Sequence, residues 1–331
     1  MNYTILISGG SGFIGVNVIK NIVLNKKVSE IIVLDNFITS DPDHFAKFKC
    51  NVLKLNPDIT ITLFNFDITN PKMIPFIKER YSSINEIYHL ASLASPVAYK
   101  KYPLKTLDTG YIGTKNMLDL AYHYNSKLLL ASTSEIYGDA QVSPQNESYY
   151  GNVNSFGCRG CYDESKRVAE ALCYTYLNEY KLDIKIARIF NTYGPHMTID
   201  DGRIVTQTIK SLINNTELTI YGDGNQTRSC VFVDDTVDML VRLMTSDCNI
   251  PVNIGNNEER SINETVDTIE KVYQEHFDKE CKLKRNYVKL TQDDPLKRCP
   301  CLKLNKEILG ETKYTSFEEG VKEMIKYFVD N

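Results

Sequence analysis

No tryptophan occurs in the 331 residues, a packing trait, and no apolar stretch approaches the ~20 residues that a membrane-spanning helix needs. No helical membrane anchor and no membrane partner are expected. Clusters of Lys and Arg are also missing, and the formal net charge is -4, so the chain has no general attraction to phosphate backbones and no nucleic acid partner is expected. Internal repeats and low-complexity linkers are absent as well, which rules out a solenoid and tethered domains. Nine cysteines form an odd set in a chain too large to need disulfide staples, so free thiols are expected. Cys158-x-x-Cys161 and Cys299-x-Cys301 lack the second-site spacing of a zinc knuckle, and a glycine-rich turn and a proline-flanked loop surround them. No metal is expected. Met1-Asn2-Tyr3 runs directly into Thr4-Ile5-Leu6-Ile7, with no room for a signal peptide, and the expectation is a soluble, cytoplasmic protein.

The composition is that of an ordinary globular protein, 42% hydrophobic and 24% charged. Single cores stop growing near roughly 250 to 300 residues, so one large domain with a smaller one leaning on it is expected. Strands are predicted at Thr4 to Ser8, Glu30 to Asp35, Ile59 to Phe66, Glu86 to Leu90, Lys127 to Ser132 and Asp183 to Arg188. Helices are predicted between them at Phe13 to Leu24, Pro71 to Tyr81, Thr109 to Tyr124 and Asp163 to Tyr180. This alternation implies an α/β fold, a Rossmann-type doubly wound parallel sheet, over residues 1–190. After Asn191 the pattern loosens, with helices predicted at Asp234 to Thr245, Ile262 to Phe277 and Phe317 to Val329. Residues 191–331 are read as a smaller C-terminal α/β substrate lobe, with some chain crossing back and a site between the two parts.

Directly after the first strand, Gly9-x-x-Gly12-x-x-Gly15 opens the first helix. Glycines there permit a tight turn and a close backbone approach to a pyrophosphate, whose charge the helix N-terminus stabilises. A glycine pattern alone is weak, since a turn without ligand can show it. Its place in the first βα unit strengthens it, and so does Asp35 at the end of the second strand, where a carboxylate can accept from ribose hydroxyls. Asp35 also repels a 2′-phosphate, and Asn36 and Phe37 bring no Arg to reverse that, which favours NAD over NADP. Asp67 and Ile68, after the third strand, are placed for the adenine edge, although an Asp there is often only a cap.

Tyr162 and Lys166 stand one helical turn apart on one face. A phenol of pKa ~10, lowered by a neighbouring cation, can take a proton from a sugar hydroxyl as hydride leaves. The spacing is common by chance, but Ser132-Thr133-Ser134-Glu135 ends the fifth strand, and ligands of open parallel sheets sit at such carboxyl ends.

Together with His89-Leu90-Ala91-Ser92 and Arg188-Ile189-Phe190-Asn191-Thr192-Tyr193-Gly194-Pro195, these motifs resemble the extended short-chain dehydrogenase/reductase family, the NAD-dependent epimerases and dehydratases. Within it, Leu129 to Asp139 and Gly157 to Arg167 resemble the branch that decarboxylates UDP-glucuronate to UDP-xylose. The likeness continues through Asp201-Gly202-Arg203, Tyr221 to Arg228 and Asp293-Asp294-Pro295-Leu296-Lys297-Arg298. The resemblance implies a tightly bound NAD, regenerated each turnover, touched by Gly9, Gly12, Phe13, Ile14, Gly15, Asp35, Asn36, Asp67, Ile68, Leu90, Ala91, Ser92, Thr109, Tyr162 and Lys166. It implies Tyr162 as base at C4, Lys166 as the group that lowers its pKa, and Thr133 as a hydrogen-bond partner of the C4 oxygen. Ser134, Glu135 and Arg298 are tied to decarboxylation, with Glu135 or a water it positions returning the proton to C5. Asn191, Arg203, Tyr221, Gln226, Arg228 and Arg298 are implied for the UDP-sugar, Arg being suited to bidentate capture of phosphate. Taken singly, Arg228 or Arg298 would read as a surface ion pair. A homodimer through a four-helix bundle, built from the helices 109–124 and 163–180, is implied too.

Three departures stand out. Asp108-Thr109-Gly110 lies where many relatives carry Lys-Thr-Asn, Tyr149-Tyr150-Gly151 replaces Tyr-Trp-Gly, and Thr39 to Asn56 is longer than usual and reads as a surface elaboration. Rival activities are a UDP-apiose/xylose synthase, which would carry Cys at position 134, a 4,6-dehydratase, which would carry Thr-Asp-Glu at 133–135, and a 4-epimerase. A non-catalytic NAD-sensing regulator is the rival from another class, and it should have lost Tyr162 or Lys166.

Overall fold

The computed structural model describes residues 3–289 and 297–330. Asp293 to Leu296, part of one motif singled out above, lie outside the described residues. Six strands, β1 (Thr4–Ser8), β2 (Glu30–Asp35), β3 (Thr60–Asn65), β4 (Glu86–His89), β5 (Lys127–Thr133) and β6 (Ile184–Ile189), form one sheet with an edge strand at Pro251–Ile254. The order runs from that edge strand through β6, β5, β4, β1 and β2 to β3, and every pairing is parallel. Helices cover both faces, which is why β1 and β2 read as unbroken apolar runs. The edge strand was not foreseen. It brings the chain back to the sheet more than sixty residues after β6, pairing Pro251 to Ile254 with Ile186 to Ile189.

Helix α1 (Phe13–Asn25) buries Val16, Ile19 and Val23 against the sheet. The segment expected to be a surface elaboration contains helix α2 (Pro42–Leu53), capped by Asp41, whose side chain accepts from Asp43 N at 2.9 Å. Phe45, Phe48 and Val52 lie on one face at helical spacing, and all three join the main core. That segment is thus part of the fold, not an addition to its surface. After α3 (Met73–Arg80), two short helices, α4 (Pro96–Lys101) and α5 (Pro103–Asp108), lead into a π turn at Thr109–Gly113 and then α6 (Thr114–Tyr124). The single helix expected over 109–124 is interrupted there. Helix α7 (Gly160–Tyr180) follows the fifth strand and carries Tyr162 and Lys166.

Beyond β6 the chain adds α8 (Ile204–Ile213), α9 (Val233–Thr245), α10 (Ile262–His276), α11 (Lys303–Leu309) and α12 (Phe317–Asp330). Helix α10 begins with a capping box between Ser261 and Glu264. Short strand pairs complete this region, and one of them sets Arg298 beside Arg228 in parallel register. The largest apolar cluster includes Ile5 and Ile19 from the first half with Leu240 and Met324 from the second, so both halves share a core. Among the described residues, no helix is long and apolar enough to cross a membrane.

Candidate active site

A cavity of about 870 Å³ opens at the carboxyl ends of the strands. One arm begins at the turn after β1. Gly9 adopts a left-handed φ of +72°, and a Cβ there would stand 2.7 Å from the Ala91 backbone nitrogen, so this turn admits only glycine. Gly12 caps α1 without any side-chain hydrogen bond, and no acid occupies the first turn, which leaves the positive end of the helix facing the cavity. Asp35, buried at the end of β2, accepts from Ser11 N at 3.0 Å, Phe37 N at 2.9 Å and Ser40 Oγ at 2.9 Å. Its carboxylate is fixed from the protein side and borders the cavity, as a ribose-binding acid requires. Asp67 also lines this arm, and it accepts from Thr69 N and Asn36 Nδ2. Burial would raise its pKa, but those bonds hold it below the usual range. Gly12, Phe13, Ile14, Gly15, Asn36 and Ile68 border the same arm. Leu90, Ala91, Ser92 and Thr109 continue its wall toward the sheet centre.

At that centre stand Thr133, Tyr162 and Lys166. Lys166 donates to Ala131 O at 2.8 Å, and its Nζ lies 6.0 Å from the Tyr162 ring centre. Burial pushes the ammonium down to about 8, against an opposing pull from Glu170. The Tyr162 phenol is pushed up, by burial first and then by Glu135, while Thr133 and Arg203 oppose the shift. The Lys166 ammonium is turned to a backbone carbonyl beside the ring, and burial dominates the phenol's shift. Behind it, His89 links Ser8 Oγ at 2.8 Å and Thr114 Oγ1 at 3.0 Å, and burial pushes its pKa down to about 3, so it holds the strand ends as a neutral ring.

Glu135 lies in the 3-10 turn Ser134–Tyr137 after β5, between two arginines. Arg298 donates to both carboxylate oxygens, to Oε2 at 2.8 Å, and Arg159 donates to Oε2. Burial would raise the Glu135 pKa, but Arg298 and then Arg159 hold it below the usual range. A carboxylate held ionised in this way is a poor proton donor, which turns the choice offered above toward a positioned water. Ser134, one residue away, is buried and does not line the cavity.

The other arm is bordered by Asn191, Arg203, Tyr221, Gln226 and Arg228, together with Arg298. Arg203 pairs with Asp201 at 3.2 Å, and Gln226 donates to Tyr221 O at 2.6 Å. All the implied site residues except Ser134 therefore share one cavity. Sequence reasoning gave no role to Arg159 or to Tyr99, whose ring stacks on Tyr162 with centres 5.1 Å apart. Arg159 was within reach, since it precedes Tyr162 by three residues. Among the described residues, no three His, Cys, Asp or Glu gather in a way that could hold a metal ion.

Residues 5–255 match the model of the NAD dependent epimerase/dehydratase family. The chain belongs to that family. Over 327 residues it is 42% identical to UDP-glucuronic acid decarboxylase 5 of Arabidopsis thaliana, covering 99% of this chain and 89% of the relative. It is 41% identical to UDP-glucuronic acid decarboxylase 1 of Danio rerio, covering 98% of this chain and 72% of the relative. Among solved structures, the UDP-glucose 4-epimerase of Thermotoga maritima with UDP-glucose superposes with a TM-score of 0.85 at 25% identity, over 99% of both chains. The NAD requirement of the family fits the residues present: a glycine turn that admits no Cβ, an uncapped helix N-terminus and a buried acid at the end of β2.

Proposed function

We propose that this protein is a UDP-glucuronate decarboxylase that makes UDP-xylose and CO2. The supporting observation is the cluster at the sheet centre, where Tyr162, Lys166 and Thr133 share a wall with a Glu135 carboxylate gripped by two arginines. The relatives named for this activity are similar over nearly the whole chain. Residues 1–190 mainly hold NAD and the catalytic pair, and residues 191–331 mainly hold the nucleotide sugar.

NAD, when bound by the glycine turn, Asp35 and the residues of that arm, would supply a hydride acceptor for C4. Tyr162 takes the C4 hydroxyl proton, while Thr133 holds the C4 oxygen. Lys166, anchored on Ala131 O, keeps the phenol's surroundings positive. Once C4 is a ketone, the C6 carboxylate is a β-keto acid and CO2 leaves without a strong base, its electrons flowing into the C4 carbonyl. The C5 proton comes from a water positioned by Glu135, which stays ionised between its arginines, and the hydroxide left is neutralised by a proton from solvent. Tyr162 then returns its proton to the C4 oxygen as C4 is reduced. Arg203 and Arg228 bind the diphosphate.

The protein works as a homodimer in this reading. Leu104 and Leu107 on α5, Tyr111 in the π turn, Tyr122 on α6, and Tyr174 and Tyr180 on α7 are exposed apolar side chains of neighbouring elements. A reducing, cytoplasmic setting accords with nine free cysteines.

The test is incubation of purified protein with UDP-glucuronate and no added NADH, following CO2 and product mass. Stoichiometric CO2 and a UDP-pentose are expected. Absence of CO2 with NAD supplied would end this reading.

A further inference from the structure

The two arginines on Glu135 are not equivalent. Arg298 has both terminal nitrogens on the two oxygens of Glu135, and its side chain is 8% exposed. Arg159 gives Glu135 only its Nη2, its side chain is 18% exposed, and it borders the cavity. Its Nη1 has no hydrogen-bond partner among the described residues, and its Nε lies 4.0 Å from Asp163 Oδ2, beyond hydrogen-bond reach.

The charges around it count the same way. Arg298 and Glu135 cancel, and Arg203 is paired with Asp201 at 3.2 Å. Asp163, pushed up to about 7 by burial and then by Glu135, carries only part of a charge at neutral pH. Arg159 therefore leaves a surplus of positive charge on this wall. It also stands one helical turn before Tyr162, whose backbone nitrogen donates to Arg159 O at 2.9 Å. A sugar whose C4 hydroxyl meets Tyr162 has C6 only two bonds from C4. The substituent on C5 must then lie close to the start of α7.

Resting on the decarboxylase reading, we propose that Arg159 is the specificity-determining residue for an acidic sugar, its Nη1 binding the C6 carboxylate while Arg298 stays committed to Glu135. A neutral sugar offers that nitrogen nothing charged to bind. Removing the interaction removes a charge-assisted hydrogen bond, worth about 10- to 100-fold in affinity.

The experiment compares the NAD-loaded wild-type protein with Arg159→Gln and Arg159→Lys, measuring affinity for UDP-glucuronate, UDP-glucose and UDP by calorimetry, with kcat and KM on UDP-glucuronate alongside. Arg159→Gln is expected to weaken UDP-glucuronate about 10- to 100-fold while UDP-glucose and UDP bind as in the wild type. Arg159→Lys, which keeps the charge and loses the fork, should fall between. An unchanged UDP-glucuronate affinity in Arg159→Gln overturns the proposal. So does an equal weakening of all three ligands, which marks a structural role. If Arg159→Gln does not fold, Arg159→Lys decides by the same comparison, a loss confined to UDP-glucuronate supporting and a uniform loss refuting. Failure of the decarboxylase reading is distinguishable: the wild type would release no CO2, yet the contrast between acidic and neutral ligands would still report on Arg159.

Discussion

Gly110 lies so close to Ser165 that a Cβ added to it would stand 2.5 Å from the Ser165 Cβ and 2.6 Å from its carbonyl oxygen. Gly110 belongs to the π turn that also carries Thr109, and Ser165 immediately precedes Lys166 and donates its hydroxyl to Tyr162 O at 2.7 Å. The contact therefore sets how near the cavity-lining π turn comes to the helix of Tyr162 and Lys166. π turns inside helices are frequent at functional sites, and this one has a packing reason. Gly110→Ala should overpack the contact, lowering stability by about 1–3 kcal/mol and kcat with it. Adding Ser165→Gly removes the opposing Cβ but leaves the Ser165 carbonyl oxygen at 2.6 Å and Cα at 2.8 Å, so it should recover only part of both losses. Melting temperature and kcat of the four proteins in the cycle decide it. A double variant no better than Gly110→Ala alone would show that another contact is responsible.

Lys166 is expected to set the basic side of the pH profile. Burial lowers its pKa to about 8, so the ammonium is lost as pH rises through that value instead of near the ordinary lysine value of about 10.4. In the free enzyme, kcat/KM should fall above about pH 8, about tenfold for each further unit. Lys166→Arg keeps its charge throughout that range and should flatten this limb, whatever the loss in overall rate. A wild-type profile flat to pH 10 would contradict the depressed ammonium.

In the proposed reaction Tyr162 and Glu135 act at different stages, and substitution should separate them. Tyr162→Phe removes the base for C4 oxidation, so neither NADH absorbance nor CO2 should appear. Glu135→Gln keeps the size of the side chain and loses the charge between Arg159 and Arg298, so C4 oxidation should persist in part while product formation falls by about 10²–10⁴, the usual range for a lost proton-transfer partner. Single-turnover absorbance at the NADH band, read against CO2 release, makes the comparison. Equal loss of both signals in Glu135→Gln would assign that residue to the oxidation step.

The exposed apolar strip offers a test of assembly. Leu104 is 75% and Tyr174 68% exposed, on elements that pack beside each other. Leu104→Glu combined with Tyr174→Glu should halve the mass seen by light scattering if these helices pair with a second copy. A mass that stays dimeric would move the interface elsewhere.

The sheet was legible wherever apolar runs were bounded by turn residues. β1 and β2 fall at the expected limits because polar residues bound each apolar run, Thr4 and Ser8 around Ile5 to Ile7, and Glu30 and Asp35 around Ile31 to Leu34. The edge strand Pro251–Ile254 escaped notice because it is only four residues long and begins with proline, which an edge position tolerates. That the glycine turn, Asp35, Tyr162 and Lys166 border one cavity could be read from local spacing. The ionisation of Glu135 could not, because it depends on Arg298, 163 residues away, and on burial that no motif encodes. The phenol of Tyr162 illustrates the same limit: sequence supplies a cation one turn away, but only geometry shows that cation bonded to Ala131 O.

Helix α2 was concealed for a related reason. Its sequence around Pro42 to Leu53 mixes Asp, His, Lys and Asn with three buried apolar side chains, so its one-sided pattern is thin. Phe45 is nonetheless 1% exposed and packs against Phe48 at 6.0 Å between ring centres, within the core that also receives α1. A surface elaboration would tolerate truncation there, whereas a core helix would not. Phe45→Ala should cost about 3–5 kcal/mol, the range for deleting a buried Phe, and Lys47→Ala on the exposed side of the same helix should stay within about 0.5 kcal/mol. Chemical denaturation of both variants gives the two numbers. If Phe45→Ala unfolds at the wild-type midpoint, α2 contributes nothing to the core and the surface reading of that segment is restored.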